Sequence, residues 1–458
     1  MNQNYNKLLY LIFFIGITIS ISYSYFNIKN FDKNEEFNNH LMIRGDLNLI
    51  WKEAESFKRD VVANNNLFGN GLEYTRTYLP SKILALYSFI TGYSLYEDFE
   101  KDKISLNNKF PYLLFQVCFY YLSLFIFFKN LIKFYQNKYL SLFIILFLAL
   151  DFNIIQWHGT FWTESIFFSL QLVFLSCLLK KNKSYFFFFY FGMFLGVMFY
   201  QKTVAIFLII FLIIFFLFSE KKKKIKKNFI FLMGFSICLL FLGYDNYKKT
   251  NIFYIMPLQT KTAHYVYIIN QILIEKKIEQ INFIEVENKW KLENSGYKNN
   301  FELNYNFAKF KQNLALKMML ENKLLTTKIY VKKILAHSLL NPFQTYFWHK
   351  YNKLKYKDME FYLSDESKNY FIVKIIYSLF FYFITLTGIY SIFLKKNKLK
   401  FHLLIISMVI YFVFMLGWVG NSRYFMISII FLSIFFGHGL NFLYDLKKKF
   451  IYNQPNKL

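Results

Sequence analysis

Apolar runs close to the length needed to cross about 30 Å of hydrocarbon recur along the chain, separated by short polar connections. A backbone inside lipid must satisfy its own hydrogen bonds, and a barrel would alternate with period two, so these runs read as helices. They predict ten spans near 8–26, 111–128, 139–155, 163–179, 184–200, 203–219, 228–244, 369–394, 401–417 and 423–443. The expected fold class is all-α: a polytopic transmembrane helical bundle of about ten spans with a helical periplasmic loop domain. Two long loops, about 27–110 and 245–368, fall on one side. The chain therefore divides into an N-terminal transmembrane catalytic module (1–244, with the first periplasmic loop 27–110), a loop domain (245–368) and a C-terminal transmembrane module (369–458). The first apolar run lacks a small-x-small cleavage pattern and is expected to be an uncleaved span. Within the second long loop, KLLTTKIYVKKILAHSLLNPF is expected to form a helix whose residues Ile329, Ile334, Leu335 and Leu339 make an apolar stripe lying on the membrane surface.

Composition agrees with the pattern: 55% of the 458 residues are hydrophobic and 61 are Phe. The net charge of +27 would suit a nucleic-acid binder only if it gathered on one face, and here it punctuates the spans. Clusters stand at Lys129/Lys133/Lys138, Lys180/Lys181/Lys183, Lys221 to Lys224 with Lys226 and Lys227, Lys395/Lys396/Lys398/Lys400, and Lys447 to Lys449. The intervening short connections are nearly free of Lys, so the positive-inside rule puts the clusters and both termini in the cytoplasm and the long loops outside. Membrane lipids are the partners this implies, and nucleic acid is not one. Cys118, Cys177 and Cys238 fall inside apolar runs and imply no disulfide framework.

The chemistry-bearing residues collect at the outer ends of the spans. The stretch from Arg44 to Tyr87 carries Asp46, Glu53, Glu55, Asp60 and Glu73, three arginines and a Tyr-Leu-Pro start to a helix. Asp46 precedes a predicted surface helix, Leu47 to Val62, which it could cap instead of doing chemistry. HGTFWTES brings His158 and Glu164 to the start of the fourth span, where an ionisable group is costly unless it faces a polar cavity. Tyr200-Gln201-Lys202 joins spans five and six, and Arg423-Tyr424 opens span ten. Only four of the 55 basic residues are arginine (Arg44, Arg59, Arg76, Arg423), and all four fall on the outer side. In so Lys-biased a chain they suggest places where a planar fork must grip phosphate or carboxylate. All six Trp are also expected on that side, as interfacial anchors or as platforms for a sugar ring.

Acids and cations at one membrane depth suit glycosyl transfer from a lipid-linked phosphosugar, where cations hold the phosphate and an acid takes the acceptor's proton. On these residues the chain resembles the GT-C superfamily of polyprenyl-phosphate-sugar-dependent glycosyltransferases, such as the protein O-mannosyltransferases and the aminoarabinose transferase of lipid A. The matching features are Asp46 in the first outer loop, an Ala-containing amphipathic helix (Trp51 to Phe57, with Ala54), Tyr78-Leu79-Pro80, Thr163-Glu164, Lys202 and Arg423-Tyr424. They cover roughly 1–245 and 401–443. The resemblance implies a polyprenyl-phosphate-sugar donor, a lipid or glycan acceptor, and an enzyme of the inner (plasma) membrane working at its periplasmic face. It implies Asp46 and Glu164 as catalytic residues, with Lys202, Arg423, Tyr424, Arg76, His158 and Glu53 around the substrates. The adjacent Asp-Glu pair of several such families is absent, leaving Glu53 or Glu35/Glu36 as alternatives to Asp46. Lys202-Thr203 stands where Arg-Pro is common. A divalent metal on Asp46, Glu164 and His158 is left open. The alternative classes are a polysaccharide polymerase or ligase and a flippase for lipid-linked saccharides.

Overall fold

The computed structural model describes residues 2–29, 50–51, 53–58, 78–92, 106–180, 183–219, 223–258, 262, 265–276, 283–294, 300–340, 365–396, 398–419 and 422–452. Every regular element among the described residues is helical, so the protein is an all-α, polytopic membrane protein. The N-terminal part contains α1 (Asn2–Lys29), α2 (Tyr78–Thr91), α3 (Leu106–Tyr135), α4 (Lys138–Leu150), α5 (Phe152–His158), α6 (Glu164–Leu179), α7 (Tyr185–Gln201), a 3-10 turn (Thr203–Phe207), α8 (Leu208–Ser219) and α9 (Lys224–Thr250). A π turn (Tyr265–Ile269) and α10 to α13 follow: Asn270–Glu275, Phe283–Glu293, Asn300–Glu321 and Lys323–His337. The chain closes with α14 (Asp365–Lys395), α15 (Leu399–Val419) and α16 (Ser422–Tyr452).

Helix stands at all ten predicted places. Five helices are long and apolar enough to cross a membrane, and α4 with α5 adds a sixth if the bent pair is one span. The shorter apolar segments Glu164–Leu179, Tyr185–Gln201, Thr203–Phe218 and Leu399–Met415 occupy the other four. The span expected at 139–155 is broken: α4 and α5 meet at 47°. Asp151 causes the break. Its backbone is extended (φ −69°, ψ 118°), and its carboxylate leaves α4 to cap α5, accepting from the Asn153 backbone N–H at 2.6 Å and the Asn153 side chain at 2.9 Å.

Between helices in lipid there is little hydrophobic drive, so close packing of backbones matters more. Two helix pairs obtain it from glycine. On α7 and α9, a Cβ at Gly192 would collide with the Phe231 carbonyl, and one at Gly234 with the Phe189 carbonyl. On α14 and α16, Gly388 and Gly439 stand in the same relation to Phe435 and Ile384. The outward surfaces of these helices carry exposed Phe186, Tyr190, Phe229, Phe383 and Leu386, as a lipid-facing wall requires.

The second long loop forms small helical cores of its own, around Tyr254, Leu258 and Phe301, and around Tyr265, Ile269 and Ala315. Its α13 rests on α15 through Tyr330 and Phe414, whose rings lie 5.8 Å apart. The expected surface stripe is not what α13 presents: Ile329 is 3% exposed, whereas Leu335 is 67% exposed. At about 100° per residue, positions 329, 334 and 335 point in three directions, so they do not share a face.

Candidate functional site

Two breaks in the helices bring the central pair together. Glu164 opens α6, where the positive end of the helix dipole favours a carboxylate. Lys202 ends α7 with an extended backbone (φ −154°, ψ 117°) before the 3-10 turn, and this sends its side chain back toward α6. The Lys202 ammonium donates to Glu164 Oε1 at 2.6 Å, with Glu164 fully buried and Lys202 6% exposed. The joint is fixed on both sides: the Gln201 side-chain amide donates to the Thr163 carbonyl at 3.0 Å, and Thr163 Oγ1 donates to Glu164 Oε2 at 3.4 Å. Two residues predicted from separate spans therefore meet as a buried ion pair. Removing such a pair from water is costly, and the short contact offsets that cost only while both partners are present.

The described residues of the first loop pack against the same region. Residues 50–51 and 53–58 are helical, and Trp51, Glu53 and Ala54 are buried. Trp51 meets Phe161 edge-on at 5.1 Å, Phe161 stacks on Tyr112 at 5.6 Å, and the Lys109 ammonium lies 5.0 Å from the Trp51 ring. Lys58 donates to Ser88 Oγ at 2.9 Å, which ties this helix to α2. At the other end of α2, Tyr78 packs on Tyr200 at 5.2 Å, two residues before Lys202. Segments 50–58, 78–91, 109–112, 157–164 and 200–202 thus form one cluster around the ion pair.

The turn that leads into Glu164 is held by its own backbone oxygens. Asn27 on α1 donates to the Gly159 carbonyl at 3.1 Å, and Gln116 on α3 donates to the Thr160 carbonyl at 3.1 Å. His158, also fully buried, pairs its Nδ1 with Ser165 Oγ at 2.7 Å and lies against the Tyr120 ring at 4.6 Å. It therefore supports the residue after Glu164. Of the groups considered for a metal, Glu164 Oε1 is engaged by Lys202 and His158 Nδ1 by Ser165. No group of three His, Cys, Asp or Glu side chains gathers among the described residues.

Asp46 and Arg76, like Glu35 and Glu36, lie outside the described residues, and so do the side chains of Arg423 and Tyr424. The backbone of α16 still fixes their level. Gln171 on α6 donates to the Ile427 carbonyl at 3.0 Å, and Phe174 faces Phe431 at 6.5 Å, so α6 and α16 run parallel. Glu164 starts about 10 Å before Gln171 and Arg423 about 6 Å before Ile427, which sets the start of α16 within one helical turn of the level of Glu164.

Some residues of this region carry no sequence signal that singles them out. Lys109 is one of several lysines in a polar connection, yet it is 1% exposed. Asp151 Oδ2 accepts from the Tyr377 hydroxyl at 2.7 Å, joining the α4–α5 break to α14. An acid inside an apolar run is the one local mark that Asp151 carries, and nothing local names its partner. Near the end of α9, Asp245 and Lys249 form a second buried pair at 3.0 Å.

With this geometry in place, residues 102–243 match the family described as dolichyl-phosphate-mannose-protein mannosyltransferase, a family of the GT-C type. The matched segment runs from the connection before α3 to α9, and it contains Glu164 and Lys202 but not the first-loop acids. It supports a membrane glycosyltransferase of the GT-C type. No curated protein matches the chain.

Proposed function

We propose, from the match of residues 102–243 and the ion pair inside it, that this protein transfers a sugar from a polyprenyl-phosphate donor to an acceptor hydroxyl at the outer face of the inner membrane. The observation that carries the reading is the buried pair of Lys202 and Glu164 on segments of the matched region. Glu164 accepts one ammonium N–H of Lys202 and so fixes the position and direction of the charge that we assign to the donor phosphate. Its role is to orient Lys202.

In the reaction, the acceptor oxygen attacks the anomeric carbon, the bond from that carbon to the phosphate oxygen breaks, and polyprenyl phosphate leaves with the electron pair. The departing phosphate gains charge, so a fixed cation lowers the barrier there. The acceptor proton goes to a carboxylate, for which we assign Asp46, with Glu53 as the alternative. Glu53 is 6% exposed beside Trp51, on the helix that docks near Phe161. Arg423 and Arg76 serve as further phosphate ligands, Tyr424 lines the donor, and His158 holds the turn at Ser165.

General-base help is worth about 10² to 10⁴ in rate, whereas Asn caps a helix about as well as Asp. A transfer assay on Asp46→Asn and Glu53→Gln therefore separates the assignments. A loss of about 10² or more confined to Asp46→Asn supports it as the base. Loss confined to Glu53→Gln moves the base there, and full activity in both removes Asp46 and Glu53 from the mechanism.

A further inference from the structure

About 40 Å along α3 from Lys109, at its lysine-rich end, three helices bring together a second polar cluster that plays no part in the proposed transfer. Tyr135 ends α3, His402 lies in the first turn of α15, and His438 lies in α16. The Tyr135 hydroxyl is 3.0 Å from His402 Nε2, and His402 Nε2 is 3.2 Å from His438 Nε2. Tyr135 also stacks on the His402 ring at 5.9 Å and meets the His438 ring edge-on at 5.1 Å. His402 is 1% exposed.

Ordinary two-centre hydrogen bonds do not satisfy both contacts at once, which leaves a three-centre bond or a shared cation. A ring nitrogen carries either one lone pair or one N–H. If His402 Nε2 accepts from the phenol, it has no second lone pair for His438. If it donates to His438, it has no lone pair for the phenol. One atom with a single valence faces two partners at hydrogen-bond distance. A shared cation resolves the conflict, because both imidazole lone pairs can then point at the same centre. Two nitrogens bound to one tetrahedral zinc at about 2.05 Å lie about 3.3 Å apart, close to the separation seen here.

We propose that His402 and His438, with Tyr135 as third ligand, form a binding site for a late first-row divalent ion such as Zn²⁺, which clamps α3 to α15 and α16. Imidazole suits these metals. Binding removes the phenol proton to solvent and leaves a phenolate. The Lys398 ammonium, 4.9 Å from the Tyr135 ring, favours that anion, while Lys395 is paired with Asp445 at 3.4 Å. The phenolate also reduces the net charge that the ion adds to this lysine-rich end. The clamp is structural, and it does not depend on the transfer chemistry.

The test uses the full chain without a polyhistidine tag, purified in detergent, stripped with chelator and titrated with Zn²⁺ or Co²⁺. The expected result is one tightly held ion per chain, a visible Co²⁺ spectrum of low-symmetry four-coordination, and release of a proton on binding. His402→Gln and His438→Gln should each abolish tight binding, and Tyr135→Phe should weaken it at least tenfold and remove the proton release. Wild-type protein that takes up neither ion overturns the proposal, and so does undiminished binding in both histidine variants. Should a variant fail to fold, the wild-type stoichiometry and Co²⁺ spectrum still decide the question.

Discussion

Replacing Glu164 by Gln keeps the shape of the side chain and takes from the Lys202 ammonium, 6% exposed, the carboxylate charge that lies 2.6 Å away. With an effective dielectric of about 20, unit charges at the observed 2.6 Å attract by roughly 6 kcal/mol, an upper bound before desolvation is counted. Breaking a buried pair from one side costs about 3–5 kcal/mol, whereas replacing both partners with neutral groups of similar volume is often near neutral. The pair therefore predicts a strongly non-additive cycle. Glu164→Gln should be destabilised by about 3 kcal/mol or more, and adding Lys202→Met should recover most of that loss. Thermal or denaturant unfolding in a fixed detergent reads the cycle, with a transfer assay run alongside. The double variant should be folded and inactive, which separates a positioning role from a purely structural one. Glu164→Gln within about 1 kcal/mol of the parent, with additive effects in the double variant, would refute the coupling.

Four further outcomes follow from the packing and the backbone. Trp51→Ala removes a fully buried indole from Phe161 and Lys109, so it should cost about 3–5 kcal/mol and make the first loop cleave faster in limited proteolysis. Gly192→Leu should sharply lower the yield of folded protein, because the α9 backbone occupies the space. Gly92→Ala meets no neighbour but sits at φ +73°, and should cost only about 1 kcal/mol. Tyr377→Phe takes one hydrogen bond from the Asp151 carboxylate and should destabilise by about 1.5–3 kcal/mol, whereas Asp151→Ala, which also loses the α5 cap, should cost more.

The helices were legible in the sequence because a span is a local property: length and hydropathy mark it without reference to any partner. Where the reading failed, a single residue or a long-range contact decided the outcome. Asp151 sits in a run apolar enough to average out its charge, yet its carboxylate breaks the span. The α13 stripe failed on helical geometry, since 329 and 335 do not share a face. The Glu164 and Lys202 pair was half legible. Charge sidedness placed both residues at one end of the spans, while their contact depends on the extended backbone at Lys202, which the sequence does not announce. Lys109, Tyr377 and the His402–His438 cluster were not legible, because each depends on a partner dozens to hundreds of residues away.

The central claim is that Lys202, held by Glu164, grips the phosphate of a polyprenyl donor, and polyprenyl phosphate itself tests it without knowledge of the sugar. Binding of polyprenyl phosphate and of the matching polyprenol should be measured on purified wild-type protein and on Lys202→Met. The account predicts that wild-type protein prefers the phosphate, and that Lys202→Met weakens phosphate binding at least tenfold while leaving the weak polyprenol binding unchanged. Equal phosphate affinity in wild-type and Lys202→Met protein, or no preference for phosphate over alcohol in the wild type, would contradict it.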